Sequence, residues 1–270
     1  HQYALVGGMP EIVVEYANNL HLLGLKYWYE KIGERFGQII REITAGHKSN
    51  TLTMDVLMNA YPFAATRVSF NHFGNLEKGS REVGQAFRLL EKAFLVKLIL
   101  PVTSAMMPVT PDRQKFPRLQ LVDTGLVNYF SGIQKPLFHS HDMNSIFEGQ
   151  IARQVVGQEI LTANRLKKIT KEILNTHDSD VNQELNFWIR NKAQSSAEVD
   201  FVLPYDGMLI PVVVRSGEPG RLRSLHQFID QSSHPFAVRL YAEKLAVQQT
   251  RTIQGKPFFL LNLPYFLAGK

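Results

Sequence analysis

The chain has no cysteine. Disulfides, thiolate metal sites and cysteine nucleophiles are therefore excluded at once. No apolar run approaches the roughly 18 to 20 residues that a membrane-spanning helix needs. The opening "HQYALVGGMP" lacks the basic region, apolar stretch and small-residue cleavage site of a secretory signal. No membrane partner is expected, and the cytoplasm is the simplest location. The phosphate-binding pattern G-x-x-x-x-G-K-[ST] is missing too. Gly46-His47-Lys48-Ser49 ends like it but lacks the loop glycine and a preceding strand. Scattered serines form no nucleophile elbow. His139-Ser140-His141-Asp142 matches no helical metal-ligand spacing and reads as a polar loop. There is no internal repeat and no low-complexity tract.

What is present is an ordinary globular balance, 44% hydrophobic and 20% charged over 270 residues, enough for one large domain or two to three small ones. The net charge of +6 favours an anionic partner, nucleic acid first, without setting any specificity.

Residues 1–46 read as helices. "GGMPEIVVEYANN" sets Ile12, Val13 and Tyr16 on one face. Leu25, Trp28, Ile32, Phe36, Ile39 and Ile43 then recur at helical spacing until Gly46. A linker is expected at "GHKSN". Beginning in mid-pattern without an initiator Met suggests a fragment of something longer.

From 51 to 132 the order is two short helices ("LTMDVLMNAYPFAA", "RVSFNHFGN"), a longer helix ("SREVGQAFRLLEKAFLV") and two strands ("LVKLILPV", "RLQLVD"). Three helices followed by a two-stranded ribbon is the order of a winged helix. In the longer helix Val83, Phe87, Leu90 and Phe94 form an apolar stripe, and Arg81, Gln85, Arg88 and Lys92 share the opposite face. Glu82 and Glu91 dilute that face, so it reads either as a solvated surface or as a DNA recognition helix. In the second case Arg and Lys neutralise phosphates and Gln85 or Arg88 reaches base edges. Arg113 and Lys115, in the loop between the strands, would form a basic wing. Winged helices also dock proteins. Asp123 in "VDTGLVNYFSG" reads as a helix cap.

Residues 134–270 alternate helix and strand: a helix from about Ile146 to Leu161, strands near "ELNFWIR", "EVDFVL" and "LIPVVVR", a helix at "RLRSLHQFID", and strands at "FAVRLYAEK" and "FFLLNLPYFL". The fold class expected overall is mixed α/β. Asp206-Gly207 is a strong two-residue turn signal. It pairs Tyr205 with Met208, Asp200 with Val213 and Glu198 with Arg215, placing those four last residues on one face. A Mg²⁺-dependent nuclease needs converging carboxylates there. Asp200 could be one ligand, but Val213 cannot ligate and Arg215 cannot act as a base. The plainer expectation is a Glu198–Arg215 ion pair of about 0.2 to 1 kcal/mol.

"GGMPEIVVEY", "LLEKAFLV", "LVDTGL", "FEGQIARQVVGQEI" and "AEVDFVL…IPVVVRSG" together resemble the C-terminal region of a prokaryotic AAA-type ATPase family, the region carrying the domain of unknown function 4143. The resemblance covers nearly the whole chain. It implies an ATPase module, with ATP and Mg²⁺, preceding His1, residues 1–46 being the remnant of its lid. It further implies a winged helix at 51–132 and a restriction-endonuclease-like domain at 134–270. The nuclease-type pattern of helix Glu, strand Asp and Glu-x-Lys falls on Glu148, Asp200, Val213 and Arg215. The last two depart from it, so the nuclease is expected to be degenerate. Glu198 could replace the missing ligand. Glu148 also fits a capping box with Ser145. Three functions stay open: a non-catalytic DNA-binding region, an active Mg²⁺-dependent nuclease, and a protein-interaction or assembly module, with an oligomer compatible with any of them.

Overall fold

A computed structural model describes residues 2–44, 49–139, 149–174, 184–192, 196–215 and 222–269. They form a mixed α/β protein that divides into two compact units, residues 1–98 with 117–155 and residues 99–116 with 156–270. The sequence-based divisions near 46–51 and 132–134 both fall inside the first unit, whose apolar core runs from Leu5 to Ile151. Among the described residues no helix is long and apolar enough to cross a membrane.

The first unit is built from helices α1 (Gln2–Val6), α2 (Pro10–Asn19), α3 (Lys26–Ile43), α4 (Ser49–Ala60) and α5 (Ser80–Lys92), then α6 (Thr124–Phe130) and α7 (Gln134–His139). Strand β1 (Val96–Val102) starts here, alongside β2 (Arg118–Leu121). Helix α3 buries Tyr29, Ile32, Gly33, Phe36 and Ile40. The stripe is thus rotated from the expected one: Ile39 is exposed and Ile43 half-buried, because Tyr29 carries its ring inward and donates its hydroxyl to the Val6 carbonyl at 2.9 Å. In α2 Ile12 is buried but Val13 is exposed.

The expected middle helix at 67–75 is not one. Arg67 bridges Arg118 in extended geometry, His72 and Gly74 take positive φ, and only Phe73–Asn75 make a 3₁₀ turn. The stretch instead delivers two rings: Phe70 stacks on Phe87 at 5.2 Å and Phe73 meets Phe87 edge-on at 5.0 Å. Phe94 leaves the α5 stripe as well. It lies beyond the helix end with φ 59° and is exposed.

A clasp ties the N-terminus to α6. The Asp123 carboxylate accepts from the Leu126 N–H at 2.9 Å, capping α6, and from the Gly8 N–H at 2.6 Å. Gly7 sits at φ +85°, a conformation that glycine adopts without steric cost. A Cβ on Gly125 would overlap the Val6 carbonyl. Asn128 completes the join, donating to the carbonyls of Ala4 and Leu5 at 2.7 and 3.0 Å. Burial pushes the Asp123 carboxyl above the usual carboxylate range, against the pull of the Gly8, Leu126 and Gly125 amides.

Helix α8 (Gln150–Leu174) runs well past the expected stop near Leu161; beyond that point Leu166 and Ile169 keep a helical spacing but are exposed. In its first turns Gln154 acts as a strand surrogate for β2, accepting from the Leu121 N–H at 3.2 Å and donating to the Leu121 carbonyl at 2.8 Å.

The second unit holds β3 (Asn186–Ile189), β4 (Glu198–Tyr205), β5 (Met208–Val214), α9 (Arg223–Gln231), β6 (Phe236–Tyr241), β7 (Ala246–Arg251) and β8 (Pro257–Pro264). With the end of β1, the strand order is β1-β3-β4-β5-β6-β8-β7. Strands β5, β6 and β8 run parallel, while β4 and β7 are antiparallel to their neighbours β5 and β8. Strand β7 has no signal in the sequence. Its six residues, AVQQTR, are all exposed and carry no buried alternation. One face of the sheet packs Val202, Leu209, Val213, Ala237, Phe258 and Leu260 with Leu225, Phe228 and Ile229 of α9.

Candidate functional site

Helix α5 is positioned by a strongly two-sided sequence. Val83, Ala86, Phe87 and Leu90 are 0–2% exposed, each large side chain contributing about 1.5–3 kcal/mol on burial. The helix therefore cannot roll, and Arg81, Gln85, Arg88 and Lys92 are all exposed. The two acids that dilute this face are both engaged elsewhere. Glu82 turns back to the Gly79 N–H at 3.2 Å as the carboxylate of an N-terminal cap. Glu91 accepts from the Leu98 N–H at 2.9 Å and lies 3.7 Å from the Lys97 ammonium. What the face offers solvent is a line of three cations and one amide over roughly three turns, about 16 Å at 1.5 Å per residue, with the exposed Glu82 carboxylate near its start. Arg113 and Lys115 are exposed too, but they belong to the second unit.

The hairpin follows its expected register. Asp206 and Gly207 both take positive φ, as a two-residue type I′ turn requires, and the pairs run from Tyr205–Met208 to Phe201–Val212. One further step sets Asp200 opposite Val213. Asp200 is 4% exposed, and its Oδ2 accepts from the Val214 N–H at 2.7 Å and from the Arg215 guanidinium at 2.8 Å. The cation expected on Glu198 thus bonds Asp200 instead, because the strand ends one residue before Arg215 and the side chain folds back to its own hairpin, donating also to the Val214 carbonyl at 2.7 Å. The Glu198 N–H bonds the Ser224 hydroxyl at 3.2 Å. Val213 is fully buried in the apolar core against α9. Glu148 and the Ser140–Asp142 part of the polar loop lie outside the described residues. Among the described residues no cluster of His, Asp or Glu is arranged to hold a metal ion.

Two residues that carry no motif in the sequence lie on the same face and sheet end as Asp200. Register places Arg239 of β6 beside Val213 and Asn262 of β8 beside Arg239. Each is detectable as the lone polar residue inside an apolar strand, "FAVRLY" and "FFLLNLP".

A family model described as Domain of unknown function (DUF8612) matches residues 1–137, which takes in α1–α6 and stops short of α8 and of every strand from β3 onward. No curated protein and no solved structure matches the chain.

Proposed function

For a chain that belongs to the DUF8612 family of domains of unknown function, we propose a non-catalytic, DNA-associated role in which α5 is the contact element. The observation that carries this reading is the α5 solvent face: Arg81, Gln85, Arg88 and Lys92 exposed in one line, with Glu91 half-buried against the Leu98 N–H and the exposed Glu82 held at the helix start by the Gly79 N–H. A helix of this width enters a major groove about 12 Å wide. Its cations would neutralise phosphates while Gln85 or Arg88 meets base edges. In this reading α4, the aromatic stretch at 67–79 and α5 form the helical part of a winged-helix-like module.

The non-catalytic half of the proposal rests on the hairpin. The second unit is read as a restriction-endonuclease-like shell in which Asp200 serves structure. Its Oδ2 already holds a backbone amide and a guanidinium, and the opposite position is a buried valine.

The test is fluorescence anisotropy with labelled duplex DNA across a salt series, without metal, for wild type and for Arg81→Ala/Arg88→Ala/Lys92→Ala. Affinity should fall steeply with salt in the wild type. The triple variant should bind more weakly, its log–log slope flattened by about 0.9 for each phosphate that is no longer neutralised. No low-salt binding by the wild type would shift the reading to protein interaction; an unchanged slope in the variant would remove α5 from the interface.

A further inference from the structure

Arg239 occupies an unusual place for an arginine. It lies within the parallel strand β6, 7% exposed, between Val213 on one side and Asn262 on the other. Its Nε donates to the Asn262 Oδ1 at 2.7 Å, and its guanidinium carbon stands 4.7 Å from the centre of the Tyr241 ring. Both partners are neutral. No carboxylate among the described residues pairs with it. Asp200, two strands away, bonds Arg215, and Asp230 of α9 accepts from the Thr252 hydroxyl at 2.6 Å. A buried cation without a counter-charge is expensive unless something else supplies one.

The guanidinium opens on a pocket of about 600 Å³ that Arg239 itself lines. The floor is Phe258, Leu260 and Leu222, and the polar wall is His226, Gln248 and Thr250. His226 Nδ1 is buried and has no hydrogen-bond partner. The bond to Asn262 and the stack on Tyr241 fix the plane of the guanidinium and leave its terminal N–H groups for another acceptor. A planar fork of donors, with an imidazole and a hydroxyl nearby and an apolar floor beneath, complements a phosphate group carried on a small organic body.

We propose that the β6–β8–α9 pocket binds a small phosphate-bearing ligand, with Arg239 as its anchoring cation, Asn262 and Tyr241 as the residues that orient that cation, and His226, Gln248 and Thr250 as further polar contacts. The site is separate from the α5 face and stands whether or not DNA binding does.

The experiment uses the 270-residue chain and three probes at matched ionic strength: inorganic phosphate, adenosine 5′-monophosphate and sodium chloride. Two readouts run in parallel, the thermal midpoint and the ¹⁵N–¹H Nε resonance of Arg239. Phosphate should raise the midpoint and move the Nε signal, whereas chloride should do neither. The monophosphate should act at a lower concentration than phosphate if its organic body uses the apolar floor, and at the same concentration if the anion alone is recognised. Arg239→Met should weaken the phosphate response at least about tenfold, the size of one charge-assisted hydrogen bond. Should Arg239→Met fail to fold, Gln248→Ala and His226→Ala, at the half-open wall, should each weaken the response in a protein with the wild-type midpoint. A wild type that responds to phosphate no more than to chloride, or an Arg239→Met protein with an undiminished response, overturns the assignment.

Discussion

Replacing Asp200 by alanine separates the two roles a hairpin carboxylate can play. As a structural clasp, Asp200 satisfies the buried Val214 N–H at 2.7 Å and holds the Arg215 guanidinium at 2.8 Å. A hydrogen bond to a charged acceptor is worth about 1.5–3 kcal/mol. The Arg215 side chain is 31% exposed, so its pair adds no more than about 1 kcal/mol. The expected loss for Asp200→Ala is therefore about 2–4 kcal/mol. The two tryptophans make the assay direct: Trp28 lies in the first unit and Trp188, fully buried, in the second. In a Trp28→Phe background, urea unfolding followed by Trp188 fluorescence reports the second unit alone, and exchange of the Val214 amide reports the clasp itself. Arg215→Met in the same background should cost less than Asp200→Ala, since it leaves the carboxylate bonded to Val214. A loss below about 1 kcal/mol with the Val214 amide still protected would refute the clasp reading. So would a midpoint that Mg²⁺ raises in the wild type but not in Asp200→Ala, which would make the residue a metal ligand.

Gly125→Ala should be among the most damaging single substitutions in the chain, because its Cβ would overlap backbone, the Val6 carbonyl, which cannot rotate away. More than about 3 kcal/mol of first-unit stability, or the soluble protein altogether, should be lost. Gly24→Ala, where a Cβ meets nothing within 4 Å, should be neutral within about 0.5 kcal/mol. The pH dependence of Asp123 has a definite sign. Burial raises its folded pKa above the unfolded value, so the folded state keeps its proton longer. That contribution to stability is complete below the ordinary carboxylate range and is lost as pH rises toward the folded value. The stability of wild type relative to Asp123→Asn should accordingly shrink as pH rises through that window. A gap that widens would mean that the amide donors outweigh burial.

The elements legible in the sequence are those with a strong local rule. Asp206-Gly207 sets the hairpin register because few dipeptides accept two consecutive positive φ values. The α5 face follows from its spacing, because Val83, Phe87 and Leu90 leave one way to bury the helix. Where packing among distant residues decides, the pattern misleads. Residues 67–75 look helical in isolation, yet Phe70 and Phe73 reach Phe87 only from an irregular chain. Strand β7 exists because β8 offers a free edge, which AVQQTR does not announce. Strand alternation points Arg215 at Glu198 rather than Asp200, because a residue just past a strand end need not obey it. Arg239 and Asn262 need the parallel register of β5, β6 and β8, which joins segments more than twenty residues apart.

The clasp between the first turn and α6 also constrains how this sequence can drift over generations. The contact at Gly125 is with the Val6 carbonyl, an atom that every amino acid supplies. Selection should therefore hold residue 125 to glycine while leaving the identity of residue 6 free among apolar side chains. Asp123 and Gly8 divide in the same way, since the aspartate is chosen for its oxygens and its partner contributes a backbone N–H. In an alignment of relatives, the "DTG" half of the clasp and Gly7, whose Cβ would overlap the Asp123 carboxylate, should stay fixed while residue 6 wanders, and residues 6 and 125 should show little covariation although they touch.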